Sequence, residues 1–237
     1  VSGKNIMFYY GNAMTSYLSY VALASFRSTV LNQGNQVFIM DYPGFGLSEC
    51  TPTESTVVPA AVSAYDYVQS LVPNPLAIMG YSLGGAIAVQ TAVKKPMAAA
   101  LVLVSTFANL AEAADFLVEV EGIKRLKLGA KMKGFDTSGD PEEIKQELKE
   151  RNPFRTAEHL SQVRVPVLLL HGTKDNVIPP NHFENLILAA KQSGACYEAD
   201  RLKANSHLQL FSLYAQKSTD HFWNRIEQFL DRSTCLH

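Results

Sequence analysis

The sequence lacks features that would assign it to a membrane or nucleic-acid class. No apolar run approaches the roughly 18 residues that a membrane-spanning helix needs, and no basic-then-apolar leader opens the chain. Lys and Arg number 21 against 22 Asp and Glu, and the formal net charge of -1 creates no overall field that attracts nucleic acid. We therefore expect a soluble protein with no nucleic-acid partner.

Cysteine is also scarce. The three cysteines, Cys50, Cys196 and Cys235, lack the close spacing of metal ligands. An odd set of this kind predicts reduced thiols rather than a disulfide framework, as is usual in the cytoplasm, and no metal site. We expect a cytoplasmic location. The chain begins at Val1, which we interpret as N-terminal trimming that leaves any upstream targeting segment outside the sequence.

What the sequence does contain is an alternation of short apolar runs with helical patterns. Its 237 residues, 47% of them apolar, suffice for one domain with a buried core. The runs indicate strands buried on both faces, typical of a parallel sheet: Ile6 to Tyr10, Val37 to Met40, Leu76 to Met79, Leu101 to Val104 and Val165 to Leu170. They predict an α/β fold with a doubly wound, mostly parallel sheet, whose functional residues follow strand ends.

The alternation is interrupted over residues 107–160, where the sequence turns charged and glycines are scattered. We interpret this stretch as a helical cap inserted into a core formed by residues 1–106 and 161–237. Within it, residues 123–133 (IKRLKLGAKMK) interleave basic and apolar side chains, as a helix in peripheral contact with an anionic membrane would. A solvated helix packed on the protein by its apolar side is the alternative that we favour.

The motif GYSLGG, residues 80–85, predicts a nucleophile at Ser82. It directly follows the apolar run LAIM and precedes a stretch of small residues, which is the order strand, sharp turn, helix. The residues two before and two after a nucleophile at such a turn must lack bulk, and Gly80 and Gly84 meet that need. The alternative is a serine in an ordinary glycine-rich turn at a helix start.

A serine hydroxyl needs a base, and the base needs an orienting acceptor. Asp175 lies in the loop after the strand VPVLLL, where an orienting carboxylate belongs, although a turn aspartate that caps its own loop is the alternative. His207, in the loop ANSH before the last helix, is the best-placed base. The remaining histidines are less suitably placed, in the predicted cap, at a strand end, in helices or at the terminus: His159, His171, His182, His221 and His237.

The chain order of GYSLGG, HGTKDNVIP and ANSH resembles the serine-hydrolase branch of the α/β-hydrolase superfamily, over nearly the whole chain. DYPGFGLS, residues 41–48, looks like the turn after the second parallel strand in many members, which we interpret as scaffold. The resemblance implies a Ser-His-Asp triad, an acyl-enzyme intermediate, a small-molecule or lipid ester as substrate and no cofactor.

The resemblance also implies an oxyanion hole made of two backbone amides. One is expected at Leu83. The other belongs to a histidine, glycine, X motif after the first strand, which here reads YYGNAM, so that Tyr10 replaces the histidine and Asn12 or Ala13 supplies the amide.

Two alternatives remain open at this stage. Acyl thioesterases and acyltransferases form the same acyl-enzyme, and differ from esterases only in the leaving group or the acceptor. Some members of the superfamily are non-catalytic interaction modules, but these usually lack part of the triad, whereas all three positions are filled here. The predicted cap is expected to roof the site and to set substrate choice, since a fold alone does not name a substrate.

Overall fold

A single parallel sheet forms the centre of the molecule. The computed structural model describes residues 3–12, 14–24, 34–114, 141–203, 206, 207 and 216–232. Six strands lie in these ranges: β1 (Asn5–Tyr9), β2 (Gln36–Ile39), β3 (Ala77–Tyr81), β4 (Leu101–Val104), β5 (Val167–Gly172) and β6 (Tyr197–Leu202). Their order is β2-β1-β3-β4-β5-β6, and every neighbouring pair is parallel. The predicted doubly wound parallel sheet is confirmed.

The helices of the described ranges connect these strands and cover the sheet. Their bounds are α1 (Ser16–Ala24), α2 (Glu54–Leu71), α3 (Leu83–Lys94), α4 (Pro141–Arg151), α5 (Thr156–Leu160), α6 (Pro180–Ser193) and α7 (Gln216–Asp231). Helices α2, α3, α5 and α6 pack side by side. The connection from β1 to β2 runs the opposite way along the sheet, and a right-handed crossover therefore places α1 on the other face.

Local sequence explains where several of these helices begin and end. Thr53 and Thr56 form a capping box at the start of α2, in which each side chain accepts a hydrogen bond from the other residue's backbone N–H. Gly194 ends α6 in the left-handed conformation with φ of 70°, because glycine carries no Cβ that would oppose it.

Helix α7 crosses one face of the sheet, from β6 towards β1. Its apolar side is buried, through Phe222, Trp223, Ile226 and Phe229. Arg225 pairs with Glu198 and Asp200, which alternate onto the same face of β6. Near the end of α7, Asp231 lies 3.2 Å from the Lys4 ammonium, just before β1. Helix α7 is therefore tied both to the edge strand β6 and to the segment before β1.

The expectation of reduced thiols is wrong for Cys196. This residue, which directly precedes β6, is disulfide-bonded, whereas Cys50 is a free and exposed thiol. Sequence spacing does not reveal which cysteines a fold brings within bonding distance. The cytoplasmic location stays a prediction and loses the support that reduced thiols gave it. Within the described ranges, no helix is long and apolar enough to cross a membrane.

Both ends of the predicted cap pack into the core. After β4, the chain buries Phe107, Ala108, Leu110 and Ala111, and before β5 it buries Phe154, Thr156 and Leu160. Residues 115–140 lie outside the described residues, and these include the basic and apolar stretch 123–133. The cap and its membrane contact therefore stay predictions.

Candidate active site

Ser82 occupies a sharp turn between β3 and α3. Its backbone has φ of 52° and ψ of -120°, a strained conformation that non-glycine residues rarely adopt. The end of β4 holds this turn in place: the Ser82 N–H donates to the Val104 carbonyl at 3.0 Å, and the Thr106 hydroxyl donates to the Ser82 carbonyl at 2.6 Å. The last residue of β4 and the loop that follows it thus fix both backbone groups of Ser82, and its side chain points beyond the sheet.

The glycines around Ser82 allow α3 to lie directly against the sheet. A Cβ atom at Gly84 would lie 2.0 Å from the Tyr9 carbonyl oxygen, and one at Gly80 would lie 2.4 Å from the Gly84 carbonyl oxygen. Both distances are far below van der Waals contact. The small residues predicted from the motif are therefore required, because the atoms that a side chain would meet belong to the backbone and cannot move aside by a rotamer change.

Gly84→Ala is expected to lower the free energy of unfolding by about 3 kcal/mol or more, because the added methyl overlaps the β1 backbone. Gly194→Ala is the matched control. A Cβ atom there meets nothing within 4 Å, so that only the left-handed backbone is penalised, by about 1 kcal/mol. Urea denaturation of both variants checks the prediction. Equal losses in the two variants would contradict the close approach of α3 to β1.

Asp175 lies in the turn after β5 and is almost fully buried. Its Oδ1 accepts hydrogen bonds from the backbone N–H groups of Val177 at 2.9 Å and Ile178 at 2.8 Å. Burial acts to raise the pKa of Asp175, but the hydrogen bonds from His207, Ile178 and Val177 outweigh it and hold that pKa below its usual value. The carboxylate is therefore ionised. It caps its own loop through Oδ1 and still leaves Oδ2 free to orient a base.

His207 connects Asp175 to Ser82. Its Nδ1 lies 2.8 Å from Asp175 Oδ2, and its Nε2 lies 3.1 Å from Ser82 Oγ. Because an ionised carboxylate only accepts hydrogen bonds, the neutral imidazole carries its proton on Nδ1 and turns its Nε2 lone pair to the serine hydroxyl. The structure thus brings together the three side chains predicted from sequence, in an arrangement that can transfer the Ser82 proton to His207.

Tyr81 supports His207 and was not predicted from the sequence. The Tyr81 hydroxyl donates to the His207 backbone carbonyl at 2.8 Å, and the two rings lie 5.1 Å apart between centroids. Burial raises the pKa of Tyr81, and the negative charge of Asp175 raises it further, which keeps the hydroxyl protonated as a donor. Tyr81 and His207 lie 126 residues apart in the chain, so no local sequence pattern predicts their contact.

His171 supports the Asp175 turn from the strand side. This histidine is buried in β5, and its ring centroid lies 5.3 Å from that of Phe183. Its Nε2 lies 3.0 Å from the Ile178 carbonyl oxygen. Burial lowers the pKa of His171 despite the nearby Asp175 charge, and the ring is therefore a neutral donor to that carbonyl. His171, which the sequence indicates only as a histidine at a strand end, thus supports the Asp175 turn through a hydrogen bond that was not predicted.

Leu83 and Gly11, the residue before Asn12, lie beside Ser82. Leu83 is the first residue of α3 and follows the serine directly. A Cβ atom at Gly11 would lie 3.2 Å from Ser82 Cβ, so the chain leaving β1 passes next to the nucleophile just before Asn12. Ala13 lies outside the described residues. Which of Asn12 and Ala13 supplies the second amide stays a prediction.

No ligand set for a metal ion accompanies these residues in the described ranges, where no three His, Cys, Asp or Glu side chains converge suitably.

Comparison with known proteins shows where this arrangement belongs. The family model described as "Alpha/beta hydrolase family" matches residues 11–215. The alpha/beta hydrolase domain-containing protein WAV2 of Arabidopsis thaliana is 28% identical over 159 residues, which are 65% of this chain and 48% of that protein. The lysophosphatidylserine lipase ABHD12 of Danio rerio is 28% identical over 165 residues, or 68% of this chain and 41% of that protein.

A solved structure agrees at the level of the fold. An esterase from Pyrococcus furiosus superimposes with a TM-score of 0.73 at 14% identity, over 98% of this chain and 82% of that one. The chain spans about half the length of the curated relatives it matches. The family model covers most of the sequence, including all of the residues from Gly11 to His207 described above. The chain belongs to the alpha/beta hydrolase family.

Proposed function

We propose that this protein is a serine hydrolase that cleaves carboxylic esters through an acyl-enzyme formed on Ser82. The single observation that carries the proposal is the continuous hydrogen-bonded path from Ser82 Oγ through the His207 imidazole to Asp175 Oδ2. A neutral serine hydroxyl becomes a competent nucleophile when an oriented base removes its proton during attack. The strained turn at Ser82 keeps that hydroxyl outside the helix hydrogen bonds.

The reaction proceeds in two steps, acylation of Ser82 and hydrolysis of the acyl-enzyme. In the first, Ser82 Oγ attacks the acyl carbon while His207 Nε2 takes its proton, and the imidazolium then protonates the departing alcohol. In the second, His207 removes a proton from water, which attacks the acyl carbon, and the proton returns to Ser82 as the acid leaves. Asp175 stays ionised throughout and stabilises the imidazolium that forms in each step.

Backbone amides of Leu83 and Asn12 are proposed to stabilise the oxyanion of each tetrahedral intermediate. Removal of one such donor typically costs about 3 to 4 kcal/mol of transition-state stabilisation. Leu83 begins α3, directly after the Ser82 turn that follows β3, and Asn12 lies in the loop after β1, the strand that pairs with β3. The pairing of β1 and β3 brings the two segments that carry these amides to the same edge of the sheet.

The similarity to an esterase and to a lysophosphatidylserine lipase supports an ester as the target bond. We extend the proposal to a lipid ester or another acyl ester of small-molecule size, with the segment 123–133 as a candidate membrane contact. Thioesters and acyl acceptors other than water remain compatible with the same acyl-enzyme, since only the leaving group or the acceptor changes.

Labelling with a fluorophosphonate probe tests the proposed nucleophile. The wild type is expected to be labelled and Ser82→Ala is not, because the probe reacts with a serine that an adjacent base activates. Ser105→Ala is the matched control. Ser105 also follows a parallel strand, has positive φ of 43° and is buried, but its hydroxyl has no hydrogen-bond partner in the described part of the chain.

The control must be labelled like the wild type. Equal labelling of Ser82→Ala, or no labelling of the folded wild type, would contradict the proposal.

A further inference from the structure

The segment between β1 and α1, which carries Asn12, is anchored at both ends on a single carboxylate. Before Asn12, the Tyr10 hydroxyl donates to Asp41 Oδ1 at 2.8 Å. After it, the Ser16 N–H donates to the same oxygen at 2.6 Å, and the Ser16 hydroxyl donates to Asp41 Oδ2 at 3.0 Å. Asp41 lies just after β2, so that a neighbouring strand holds the two ends of this segment, here called the β1 loop (residues 10–16).

The electrostatics of these contacts favour a charged acceptor and neutral donors. Burial opposes ionisation of Asp41, but the hydrogen bonds from Ser16, Tyr10 and the Leu47 backbone outweigh it and lower the pKa of the carboxyl. Burial raises the pKa of Tyr10, and its bond to Asp41 raises it further. Hydrogen bonds to an ionised acceptor are about twice as strong as neutral ones, which makes this a firm anchor for the loop.

Tyr42 adds a second tie between the same two segments. Its hydroxyl donates to the Tyr10 backbone carbonyl at 2.9 Å, its N–H donates to the Tyr10 hydroxyl at 3.3 Å, and the two rings lie 4.4 Å apart. Both the main chain and the side chain of Tyr10 are therefore fixed by residues that follow β2. The position of the next two residues, Gly11 and Asn12, follows from that of Tyr10.

We propose that Asp41 is a positioning residue for the reaction: through Tyr10 and Ser16 it holds the β1 loop so that the backbone amide at Asn12 reaches the oxyanion. This inference rests on the proposed function and deepens it, since the sequence alone indicates only a scaffold turn at 41–48. A misplacement of about 1 Å at a reacting centre can lower the rate about 100-fold. An anchor that limits such shifts therefore acts on kcat rather than on substrate binding.

The substitution that tests Asp41 is Asp41→Asn. An amide presents one acceptor oxygen in place of two, so at least one donor from Tyr10, Ser16 or Leu47 loses its partner. We expect kcat for p-nitrophenyl butyrate to fall between about 10-fold and about 100-fold, with KM unchanged within about twofold. Binding of a boronic acid, which forms a tetrahedral adduct on the serine, should weaken by the same factor as kcat.

Tyr10→Phe and Ser48→Ala complete the experiment. Tyr10→Phe keeps the ring packed against Tyr42 and removes the hydroxyl that donates to Asp41 and accepts from the Tyr42 N–H. It should also lower kcat, by a smaller factor. Ser48→Ala is the matched control, because Ser48 donates to the Asp41 backbone carbonyl at 3.2 Å and not to its carboxylate. Its kcat should equal that of the wild type.

The outcomes separate this inference from the function on which it rests. If Ser82→Ala abolishes hydrolysis while Asp41→Asn and Tyr10→Phe lower only the melting temperature, at unchanged kcat, the positioning role is wrong and the proposed function stands. If Asp41→Asn does not fold, an unchanged kcat in Tyr10→Phe overturns the inference. If Ser82→Ala hydrolyses the ester at the wild-type rate, the proposed function itself fails.

Discussion

His207→Gln is expected to lower kcat for ester hydrolysis about 10⁶-fold, the loss typical when the base of such a site is removed. Glutamine fills much of the space beside Tyr81 but has no group that can take the Ser82 proton at neutral pH. His207 Nε2 lies 3.1 Å from Ser82 Oγ, and the structure offers no other base at that distance among the residues it describes. Steady-state kinetics with p-nitrophenyl butyrate measure the loss.

His159→Gln is the control for this substitution. His159 lies in α5, and the same change there should leave kcat within about twofold of the wild type, as is usual for a site that does not touch the reacting atoms. Loss of a general base lowers the rate at least about 100-fold. A His207→Gln variant that kept more than about a hundredth of the wild-type kcat would therefore contradict the assignment of the base.

Asp175→Asn is expected to lower kcat about 10⁴-fold while the protein stays folded. The backbone N–H groups of Val177 and Ile178 donate to Oδ1, so the amide carbonyl of asparagine must occupy that place. Its NH₂ group then faces His207 Nδ1, where Oδ2 now accepts at 2.8 Å. The imidazole is forced to carry its proton on Nε2, which faces Ser82 and can no longer accept a proton.

Asp200→Asn is the matched control, because it replaces the same atoms outside the site. Asp200 lies on the face of β6 that α7 covers, where it pairs with Arg225. Its kcat should not change. The double variant of His207→Gln with Asp175→Asn should be no slower than His207→Gln alone, because residues that act as one unit are not additive. A kcat for Asp175→Asn within about tenfold of the wild type would contradict the tautomer argument.

The sheet and the three central side chains were predictable because their signals are local. Strands buried on both faces leave continuous apolar runs in the sequence, and in a parallel sheet the residues that follow those strands collect at one edge. Ser82 follows β3, Asp175 follows β5 and His207 follows β6. Once the strands were identified, topology alone was enough to bring residues 125 positions apart in sequence, Ser82 and His207, to one place.

The supporting contacts were not predictable, because they join distant residues whose types are common elsewhere. Tyr81 and His171 each act through a hydrogen bond to a backbone carbonyl. Asp41 accepts hydrogen bonds from Tyr10 and Ser16. The disulfide at Cys196 likewise depends on which chain segments the fold brings together. Asp41 lies in a glycine-rich turn after a strand, where an aspartate is common for local reasons. Its sequence context therefore gives no indication of the contact with Ser16, 25 residues away.

Trapping of the covalent intermediate tests the central claim most directly. The wild type is mixed with excess p-nitrophenyl butyrate and quenched in acid during turnover, and the digested protein is analysed by mass spectrometry. We predict one butyryl group on the peptide that contains Ser82, and none on that peptide in Ser82→Ala. A wild type that turns over the ester with no acyl group on Ser82, or with the acyl group on another residue, would contradict the account.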